Sequence, residues 1–432
     1  MSNLQNDWEV IIIGGGPAGA SAATVLAEQG RKVLVIEREK FPRYHIGESL
    51  LPFTYGPLER LGLIAKMKQS YFVKKYSVQF VAPNGKASQP FYFFNRYDRE
   101  TIAQTWQVLR SEFDQMVLDN ARERGAVVRE GVQVKELVKE GERVVGVRAV
   151  ADDGVVTEYR APITIDCTGK EAFATVRQGW RVKDPFLNKV AVWTYYEGAK
   201  RDEGIDEGAT TVAFVPEKGW FWYIPQHNNR VSVGVVAEGK YLSRDGVRSP
   251  QGMFDREVGQ NLWVQEHLRS GRQVGDYYIT NEYSFHARHC GCEGLLLAGD
   301  AFAFLDPVFS SGLMLALKSG VMAGDMVHQA LTEGDFTPER FRPYAETLRQ
   351  GIENMRKLVY AFYNPNFSFR QITDAHPELA GDITDCLSGD VNKDFSALWA
   401  AIRPIAPLPD DLPYGMPLNP TVQLANTFST TP

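Results

Sequence analysis

The stretch VIIIGGGPAGASAATVLAEQGRKVLVIE, residues 10–37, decides the fold. An apolar run enters three glycines, an alanine-rich segment follows, and a second apolar run ends at Glu37. This order predicts a buried parallel strand over 9–13, a helix over 17–29 and a second strand over 31–37. The chain is therefore expected to begin with a β-α-β unit.

Within this unit, three glycines have the G-x-G-x-x-G spacing: Gly14, Gly16 and Gly19. Glycines at this spacing allow a tight turn and let the backbone approach a pyrophosphate at the N-terminus of the helix. Glu37 ends the second strand, where its carboxylate can accept a hydrogen bond from a ribose hydroxyl. The unit predicts a dinucleotide site, but the spacing does not separate NAD from FAD.

The composition limits the class of protein. The chain has 432 residues, so two or more domains or one composite fold are expected. The net charge of -6 gives no bulk attraction for nucleic acid. The start MSNLQNDWEV lacks the pattern of a signal peptide, no apolar run has the length of a membrane span, and four cysteines are too few for a disulfide framework. We expect a cytoplasmic protein that binds neither nucleic acid nor a metal.

Apolar periodicity predicts further strands and helices after residue 37. Strands are expected over 76–82, 89–94, 126–167, 188–238, 276–286 and at the start of GLLLAGDA, 294–301. Helices are expected late in 43–64, within 106–124, over 311–331 and in the region from 335. The final PIAPLPDDLPYGMPLNP, 404–420, predicts an extended and poorly ordered end.

The stretch LLLAGDAFAFLDP, residues 295–307, resembles the second FAD fingerprint of the aromatic hydroxylase-like flavoproteins. In that family the aspartate of the Gly-Asp pair, here Asp300, contacts the ribityl chain. VLRSEFD, residues 108–114, resembles the segment whose arginine, here Arg110, lies over the FAD. The resemblance implies that the cofactor is FAD.

The same resemblance implies the α/β fold class. It comprises a Rossmann-like FAD-binding domain of the aromatic hydroxylase type, an interleaved antiparallel β-sheet substrate domain and a mainly helical C-terminal region. The expected limits are 1–75, 100–187 and 287–334 for the FAD-binding domain, 76–99 and 188–286 for the sheet domain, and 335–432 for the helical region with its Pro-rich tail.

Three further stretches resemble motifs of the flavin-dependent halogenases. GWFWYIP, 219–225, matches W-x-W-x-I-P, FLDPVFSSG, 304–312, matches F-x-x-P-x-x-S-x-G, and FPRYHIGESLLP, 41–52, is similar to the strap that covers the flavin. In a strand, Trp220 and Trp222 share one face, and in that family they separate the organic substrate from the flavin. The resemblance implies an FAD-dependent halogenase that uses reduced flavin (FADH2), O2 and chloride or bromide to form hypohalous acid.

The halogenase resemblance also implies roles for single residues. The backbone N–H groups of Ser311 and Gly312, at the start of a helix, would hold the halide. Lys75, in YFVKKYSVQF, would deliver the hypohalous acid, with Trp220 and Trp222 as the other catalytic residues. Ser77-Val78 replaces the Gly-Ala of the family's lysine motif, and the adjacent Lys74 stays an alternative.

The resemblance implies further FAD contacts in the strap and near the other motifs. These expected contacts are Ala18, Arg43, Gly47, Glu48, Ser49, Val134, Pro307 and Gly312.

The resemblance also bears on the substrate. Tryptophan halogenases carry a glutamate just before the S-x-G serine, where this chain has Phe309. This difference favours phenols, pyrroles or carrier-protein-tethered acyl groups over free tryptophan. The expected partners are a separate flavin reductase and a small aromatic or carrier-bound substrate. Candidate bases are His45, Glu48, His286 and His289.

Other classes of flavoprotein stay open at this point. An FAD-dependent monooxygenase or a geranylgeranyl reductase-like oxidoreductase would share the fold and the FAD motifs. A non-catalytic flavoprotein would keep Glu37 and Asp300 but would have no use for a tryptophan partition or a buried lysine. A relative that has lost halogenation while keeping the motifs is a further alternative.

Overall fold

The computed structural model describes residues 3–5 and 7–418. In these residues, no helix combines the length and the apolar character needed to cross a membrane. All four cysteines are buried free thiols.

The described part of the chain contains twenty strands. In chain order they are β1 Asn3–Gln5, β2 Val10–Ile13, β3 Val33–Ile36, β4 Val73–Lys75, β5 Ser77–Val81, β6 Phe91–Tyr92, β7 Thr105–Gln107, β8 Val127–Arg129, β9 Val132–Glu140, β10 Arg143–Ala151, β11 Val156–Arg160, β12 Ile163–Asp166, β13 Arg181–Glu197, β14 Thr210–Phe214, β15 Trp220–Gln226, β16 Arg230–Glu238, β17 Arg272–Ala287, β18 Gly291–Cys292, β19 Leu295–Leu297 and β20 Ala303–Phe304.

The same part of the chain contains thirteen α-helices. They are α1 Pro17–Glu28, α2 Tyr55–Arg60, α3 Ile64–Gln69, α4 Arg110–Glu123, α5 Phe173–Arg177, α6 Gly239–Leu242, α7 Pro250–Val258, α8 Leu262–Leu268, α9 Ser311–Glu333, α10 Arg342–Tyr363, α11 Phe369–Ala375, α12 Ala380–Ser388 and α13 Ser396–Ile402.

The first motif lies in a six-stranded sheet of order β18-β19-β12-β2-β3-β8. Every pair in this sheet is parallel except β18 with β19. All residues of β2 and β3 are buried, as expected for parallel strands that are covered on both faces. The predicted β-α-β unit and the α/β fold class are therefore confirmed.

Small residues allow close packing around α1. A Cβ at Gly19 would lie 1.9 Å from the carbonyl oxygen of Gly14, so the tight turn into α1 requires a glycine there. Farther along, Gly320 of α9 lies against the backbone of Ala18, and Gly324 lies against Val25. Helix α9, which follows the late motifs, is thereby fixed directly against the helix of the dinucleotide turn.

The tryptophan motif occupies β15, inside an eight-stranded sheet of order β20-β17-β13-β16-β15-β14-β5-β6. Its side chains alternate between the two faces of the sheet, as predicted. Trp220 and Trp222 pack into the core shared with the parallel sheet, whereas Phe221 and Tyr223 pack into a second core formed with α6, α7 and α8. The strand ends at Gln226, one residue after Pro225, so the predicted end of the ladder is confirmed.

Two smaller sheets complete the strand pairing. One has the order β1-β11-β10-β9, and the other joins β4 to β7 in antiparallel register with Lys75 opposite Thr105. The pair β4-β7 places the predicted lysine segment beside the strap, because Leu50 and Glu48 of the strap bond to the backbone of Trp106 and Val108.

Several predictions of local structure need correction. Within 89–94, only Phe91–Tyr92 is a strand, and a single 3-10 turn follows it. The Pro-rich segment over 404–418 is extended but not poorly ordered, because Ala406 and Tyr414 are buried and the N–H of Gly415 donates to the carbonyl oxygens of Ala287 and Arg288. Residues 419–432, which include the end of that segment, lie outside the described residues. The domain limits stay predictions.

The contact between α1 and α9 leads to a stability prediction. A Cβ at Gly320 would lie 2.2 Å from the carbonyl oxygen of Ala18, so we expect Gly320→Ala to lower the free energy of unfolding by about 1–3 kcal/mol. Gly312→Ala in the same helix is the matched control, since a Cβ there meets no atom within 4 Å. Urea unfolding of both variants measures the effect, and equal midpoints would contradict this account of the packing.

Candidate active site

One cavity brings the separate motifs together. It lies between the glycine turn after β2, the strap, the start of α9 and the tryptophan face of β15. Fifteen of the predicted site residues line it: Gly14, Gly16, Ala18, Glu37, Arg43, Gly47, Glu48, Ser49, Arg110, Val134, Trp220, Trp222, Asp300, Pro307 and Gly312. Three predicted residues do not line the cavity. Gly19 packs against Gly14 within the glycine turn, and Lys75 and Ser311 are buried next to lining residues.

The glycine turn and the end of β3 form one side of the cavity. The Glu37 carboxylate accepts hydrogen bonds from the backbone N–H of Gly15 at 2.7 Å and of Glu39 at 2.8 Å. These bonds fix the carboxylate beside the turn while leaving lone pairs for a further donor. Glu37 is therefore suited to accept a bond from the ribose of a bound dinucleotide.

Arg110 fixes the strap over this side. Its Nε and Nη2 donate to the two carboxylate oxygens of Asp114, at 2.8 and 2.9 Å, and its Nη1 donates to the carbonyl oxygens of Ile46 and Gly47. A guanidinium held by a fork of bonds to a buried carboxylate has a defined orientation. The strap is thus tied to the start of α4, at the edge of the cavity.

Asp300 tests whether FAD fits the cavity. Its carboxyl group faces the cavity and accepts no hydrogen bond from the residues that the structure describes. Burial raises the pKa of Asp300 to about 6, an effect that the positive charges of Lys170 and Arg110 partly offset. An acceptor in the cavity wall that is shielded from most water and has no partner is costly unless a ligand supplies a donor. The hydroxyls of a ribityl chain are such donors, so the residues fit FAD.

The two indoles of the tryptophan motif have fixed orientations. The Nε1–H of Trp222 donates to Ser232 Oγ at 3.1 Å, and that of Trp220 donates to the hydroxyl of Tyr363 at 2.8 Å. Gly234 on the adjacent strand leaves the space for the Trp222 ring, because a Cβ there would lie 2.2 Å from it. The pair forms a rigid wall of the cavity.

The start of α9 faces the cavity opposite that wall. Ser310 has a left-handed backbone conformation with φ of 56°, and its side chain does not cap the helix. The first N–H groups of a helix have no partner within the helix and carry partial positive charge. Gly312 in this first turn lines the cavity and has open space around its Cα.

Lys75 is buried behind the strap, with 1% of its surface exposed. Its Nζ donates to Ser49 Oγ at 2.9 Å and to the carbonyl oxygen of Leu50 at 3.1 Å, and it lies 5.6 Å from the centre of the Phe93 ring. No carboxylate within the described residues forms an ion pair with it. Burial lowers the pKa of Lys75 from 10.5 to about 7.

A chain of side-chain hydrogen bonds links this amine to the cavity. Ser49 Oγ lies 2.8 Å from Thr210 Oγ1, which accepts a bond from Gln107 Nε2 at 2.9 Å. Ser49 and Thr210 both line the cavity. Lys75 is therefore one hydroxyl away from the cavity, whereas Lys74 is exposed at the surface.

The candidate bases lie in different places. His45 and Glu48 line the cavity, but His286 stacks on Tyr414 with the ring centres 4.3 Å apart, and His289 contacts the carbonyl oxygen of Met416. Neither of these two lines the cavity, so they are not placed to act as bases there.

Comparison with known proteins agrees with this geometry. The family described as FAD binding domain matches residues 7–347. A pyrrole-2-carbonyl peptidyl-carrier-protein brominase of Pseudoalteromonas luteoviolacea is 30% identical over 388 residues, covering 88% of this chain and 92% of the relative. The corresponding chlorinase of Pseudomonas fluorescens is 29% identical over 412 residues, covering 89% and 90%.

A solved structure gives the same result. The flavin-dependent brominase Bmp2 superimposes with a TM-score of 0.83 at 27% identity, over 92% of this chain and 98% of that one. The chain belongs to the flavin-dependent halogenases. This halogenase is an FAD-dependent oxidoreductase, and the predicted family, fold, cofactor and halogenating activity are confirmed. The monooxygenase and reductase alternatives have no better support.

Some residues of the halogenase site were not found from its sequence. Thr210 and Gln107 continue the hydrogen-bond chain from Ser49, and Tyr195 and Tyr44 continue the chain from Glu48. Tyr44 lies in the predicted strap but was not singled out there, and the other three belong to no spacing motif. Only the pairing of distant strands brings them together, so the local sequence carried no signal for them.

The buried amine of Lys75 leads to a prediction about pH. Between pH 7 and pH 10.5 the unfolded chain holds a proton on Lys75 that the folded chain lacks, so the contribution of Lys75 to stability rises with pH in this window. Lys75→Met keeps the stem without the charge. We expect this variant to have a larger free energy of unfolding than the parent at pH 6. The difference in free energy of unfolding should shrink by up to about 1.4 kcal/mol per pH unit above pH 7.

Urea unfolding at pH 6 to 10 measures this difference. Lys74→Met is the matched control, because it removes the same side chain from an exposed position of the same strand. A constant difference between Lys75→Met and the parent would show that Lys75 titrates normally.

Proposed function

We propose that this halogenase transfers oxidised halogen through Lys75 to an electron-rich ring, and that the ring is an acyl group tethered to a carrier protein. The observation that carries the first part is the burial of an amine without a counter-ion, one hydroxyl away from a cavity that fits FAD. Burial of a lysine without a counter-ion lowers the stability of the folded protein. Groups with such shifted pKa values cluster at functional sites, so a chemical role explains its presence.

The chemistry that reduced FAD would supply here, together with O2 and halide, is the formation of the hypohalous acid used in the family's reaction. The N–H groups of Ser311 and Gly312 at the start of α9 would hold the halide beside the cavity. They offer a partial positive charge without a full cation, so the anion is attracted but can still leave.

The tryptophan wall would keep the organic substrate out of the flavin compartment. Trp220 and Trp222 are each fixed by a hydrogen bond at the indole nitrogen, so neither ring can turn aside without breaking that bond. A large ring on the far side could not reach the flavin, whereas a molecule the size of hypohalous acid could move past Ser49.

At Lys75 the amine can act in two ways. A pKa of about 7 leaves a substantial neutral fraction near neutral pH. Neutral R–NH2 can react with HOX to give R–NHX and water, the nitrogen forming the bond to halogen as the O–X bond breaks. The protonated form can instead donate a hydrogen bond to the oxygen of HOX. Both routes require Lys75.

The carrier-tethered substrate is supported by two lines of argument. Two relatives, which match 89% and 88% of this chain, are named for pyrrole-2-carbonyl groups on a peptidyl-carrier protein. In this chain, Phe309 is buried against Phe362 and Phe369 where a tryptophan halogenase has a carboxylate. An electron-rich pyrrole or phenol needs less help from a base than free tryptophan does.

The remaining partners follow from this assignment. A separate flavin reductase would supply FADH2. The four buried free thiols are compatible with a reducing, cytoplasmic location.

Replacement of Lys75 tests its role in delivery. We expect Lys75→Met to lose halogenated product by at least about 100-fold, the scale of a positioned catalytic group, while FAD binding measured by absorbance is unchanged. Lys74→Met should keep activity within about twofold, because surface residues rarely contribute to the chemistry. Mass spectrometry of the product decides, and near-normal halogenation by Lys75→Met with loss in Lys74→Met would transfer the role to Lys74.

Competition between free and tethered rings tests the substrate class. Pyrrole-2-carboxylate would be offered free and as the thioester of a peptidyl-carrier protein, together with a flavin reductase and bromide. We expect kcat/KM for the tethered ring to exceed that for the free acid by at least about 100-fold, because remote binding energy serves to position the ring. Equal values would contradict the carrier-tethered assignment without affecting the halogenase assignment.

A further inference from the structure

The reaction of the family consumes a proton. For R–H + X⁻ + H⁺ + FADH2 + O2 → R–X + FAD + 2 H2O, the atoms and charges balance only when one proton enters from solution for each product. With the cofactor and the substrate in the cavity little water remains there, and the proton needs a defined route. Ordinary diffusion of water is restricted in such a site, and ionisable side chains joined by hydrogen bonds can replace it.

Glu48 is the acid that the delivery of halogen does not use. It lines the cavity, yet only 1% of its surface is exposed. Its Oε2 has no partner at hydrogen-bonding geometry in the described residues. A buried carboxyl oxygen without such a partner is free to hold a proton or to bond to a ligand in the cavity.

The other oxygen of this carboxyl group begins a chain of hydroxyls. Glu48 Oε1 lies 2.9 Å from the hydroxyl of Tyr195 on β13, and that hydroxyl lies 3.0 Å from the hydroxyl of Tyr44 in the strap. The indole N–H of Trp193 donates to the Tyr44 oxygen at 2.7 Å. One phenol carries one proton, so the consistent arrangement is Tyr44 donating to Tyr195 and Tyr195 donating to Glu48.

The two ends of this chain meet different surroundings. Tyr195 is buried, with 6% of its surface exposed, whereas Tyr44 is 48% exposed and is not among the residues that line the cavity. Tyr44 is held there by stacking on Tyr278, with the ring centres 4.9 Å apart. The chain therefore leads from a buried carboxyl group to a residue that water can reach.

The titration behaviour of the groups suits a relay. Burial raises the pKa of Glu48, while Ser232, Tyr195, Gln226 and the positive charge of Arg110 face it and oppose that rise. Burial also raises the pKa of Tyr44 to about 12 and that of Tyr195 further. Both phenols thus keep their protons at working pH and can pass a proton on without storing charge.

We propose that Glu48, Tyr195 and Tyr44 form a proton path from the surface to the active-site cavity. Glu48 gives its proton to the cavity and takes the proton of Tyr195. Tyr195 then takes the proton of Tyr44, and Tyr44 takes one from water. Each O–H bond that breaks is replaced by the next, and one proton is delivered for each turn. The path does not depend on which lysine carries the halogen or on the identity of the substrate.

Removal of single hydroxyls tests the path in the full-length FAD-bound protein. Tyr195→Phe and Tyr44→Phe keep the rings and remove the relay. We expect each to slow single-turnover product formation by about 10-fold or more, in line with the contribution of a positioned proton donor, with FAD binding by absorbance unchanged. Tyr278→Phe is the matched control, since its ring stacks on Tyr44 and its hydroxyl is not in the path.

A second readout does not use activity. After rapid mixing of the oxidised FAD-bound protein into D2O at pH 5, infrared spectroscopy would follow the C=O band of protonated Glu48, assigned by its loss in Glu48→Gln. Exchange of the Glu48 proton for deuterium should be slowed by about 10-fold or more in Tyr195→Phe and Tyr44→Phe. It should be unchanged in Tyr278→Phe, because only the hydroxyls of the path carry the proton.

The outcomes separate the possibilities. Slower exchange and slower turnover in both path variants would support the path. Parent-like exchange in both, or slowing in Tyr195→Phe alone, would overturn a route that ends at Tyr44. If Tyr195→Phe fails to bind FAD, the half-exposed Tyr44→Phe decides by the same two measurements.

Discussion

The pairing of the strap with the short strand Thr105–Gln107 is the constraint on which the active site depends. The N–H of Leu50 donates to the carbonyl oxygen of Trp106, and the N–H of Val108 donates to that of Glu48, so the strap is held as an added strand. On its far side, the same short strand pairs with Val73–Lys75. The lysine, the strap and the cavity wall therefore share one set of backbone hydrogen bonds.

In this arrangement, two adjacent residues of the strap form hydrogen bonds to different ionisable or polar groups. Ser49 bonds to the amine of Lys75, and Glu48 bonds to the hydroxyl of Tyr195. Both ionisable groups are almost fully buried, and burial shifts each pKa toward the neutral form. Two unpaired ionisable groups cost stability that packing elsewhere must offset. Their separate connections to one cavity, through adjacent residues of the strap, are the reason to assign the halogen transfer to one and the proton supply to the other.

The sequence predicted the parts of the fold that local rules control. The first 28 residues from Val10 suffice for the β-α-β unit, because buried parallel strands and the glycine turn have strong local patterns. Alternation along Trp220–Gln226 also predicted which tryptophans share a face. The sequence left Lys74 as an alternative to Lys75, since which of the two is buried depends on the distant strap.

The residues that the sequence analysis missed, and the prediction that was wrong, depend on contacts between distant segments. Tyr44 and Tyr195 are 151 positions apart and meet only because the strap crosses the face of the large sheet. The Pro-rich segment was expected to be poorly ordered from its composition, but Tyr414 finds a buried site against His286 and Phe302. Composition predicts the absence of helix and strand there, and it cannot predict packing onto an existing surface.

The most direct test of the account is the dependence of the product on halide. The purified protein, FAD, a flavin reductase, NADH and air would be incubated with a pyrrole or phenol acyl group on a carrier protein, with chloride, with bromide and with neither, and the product mass would be measured. The account predicts a ring with halogen in place of hydrogen only when a halide is present. A hydroxylated ring formed equally well without halide would contradict it.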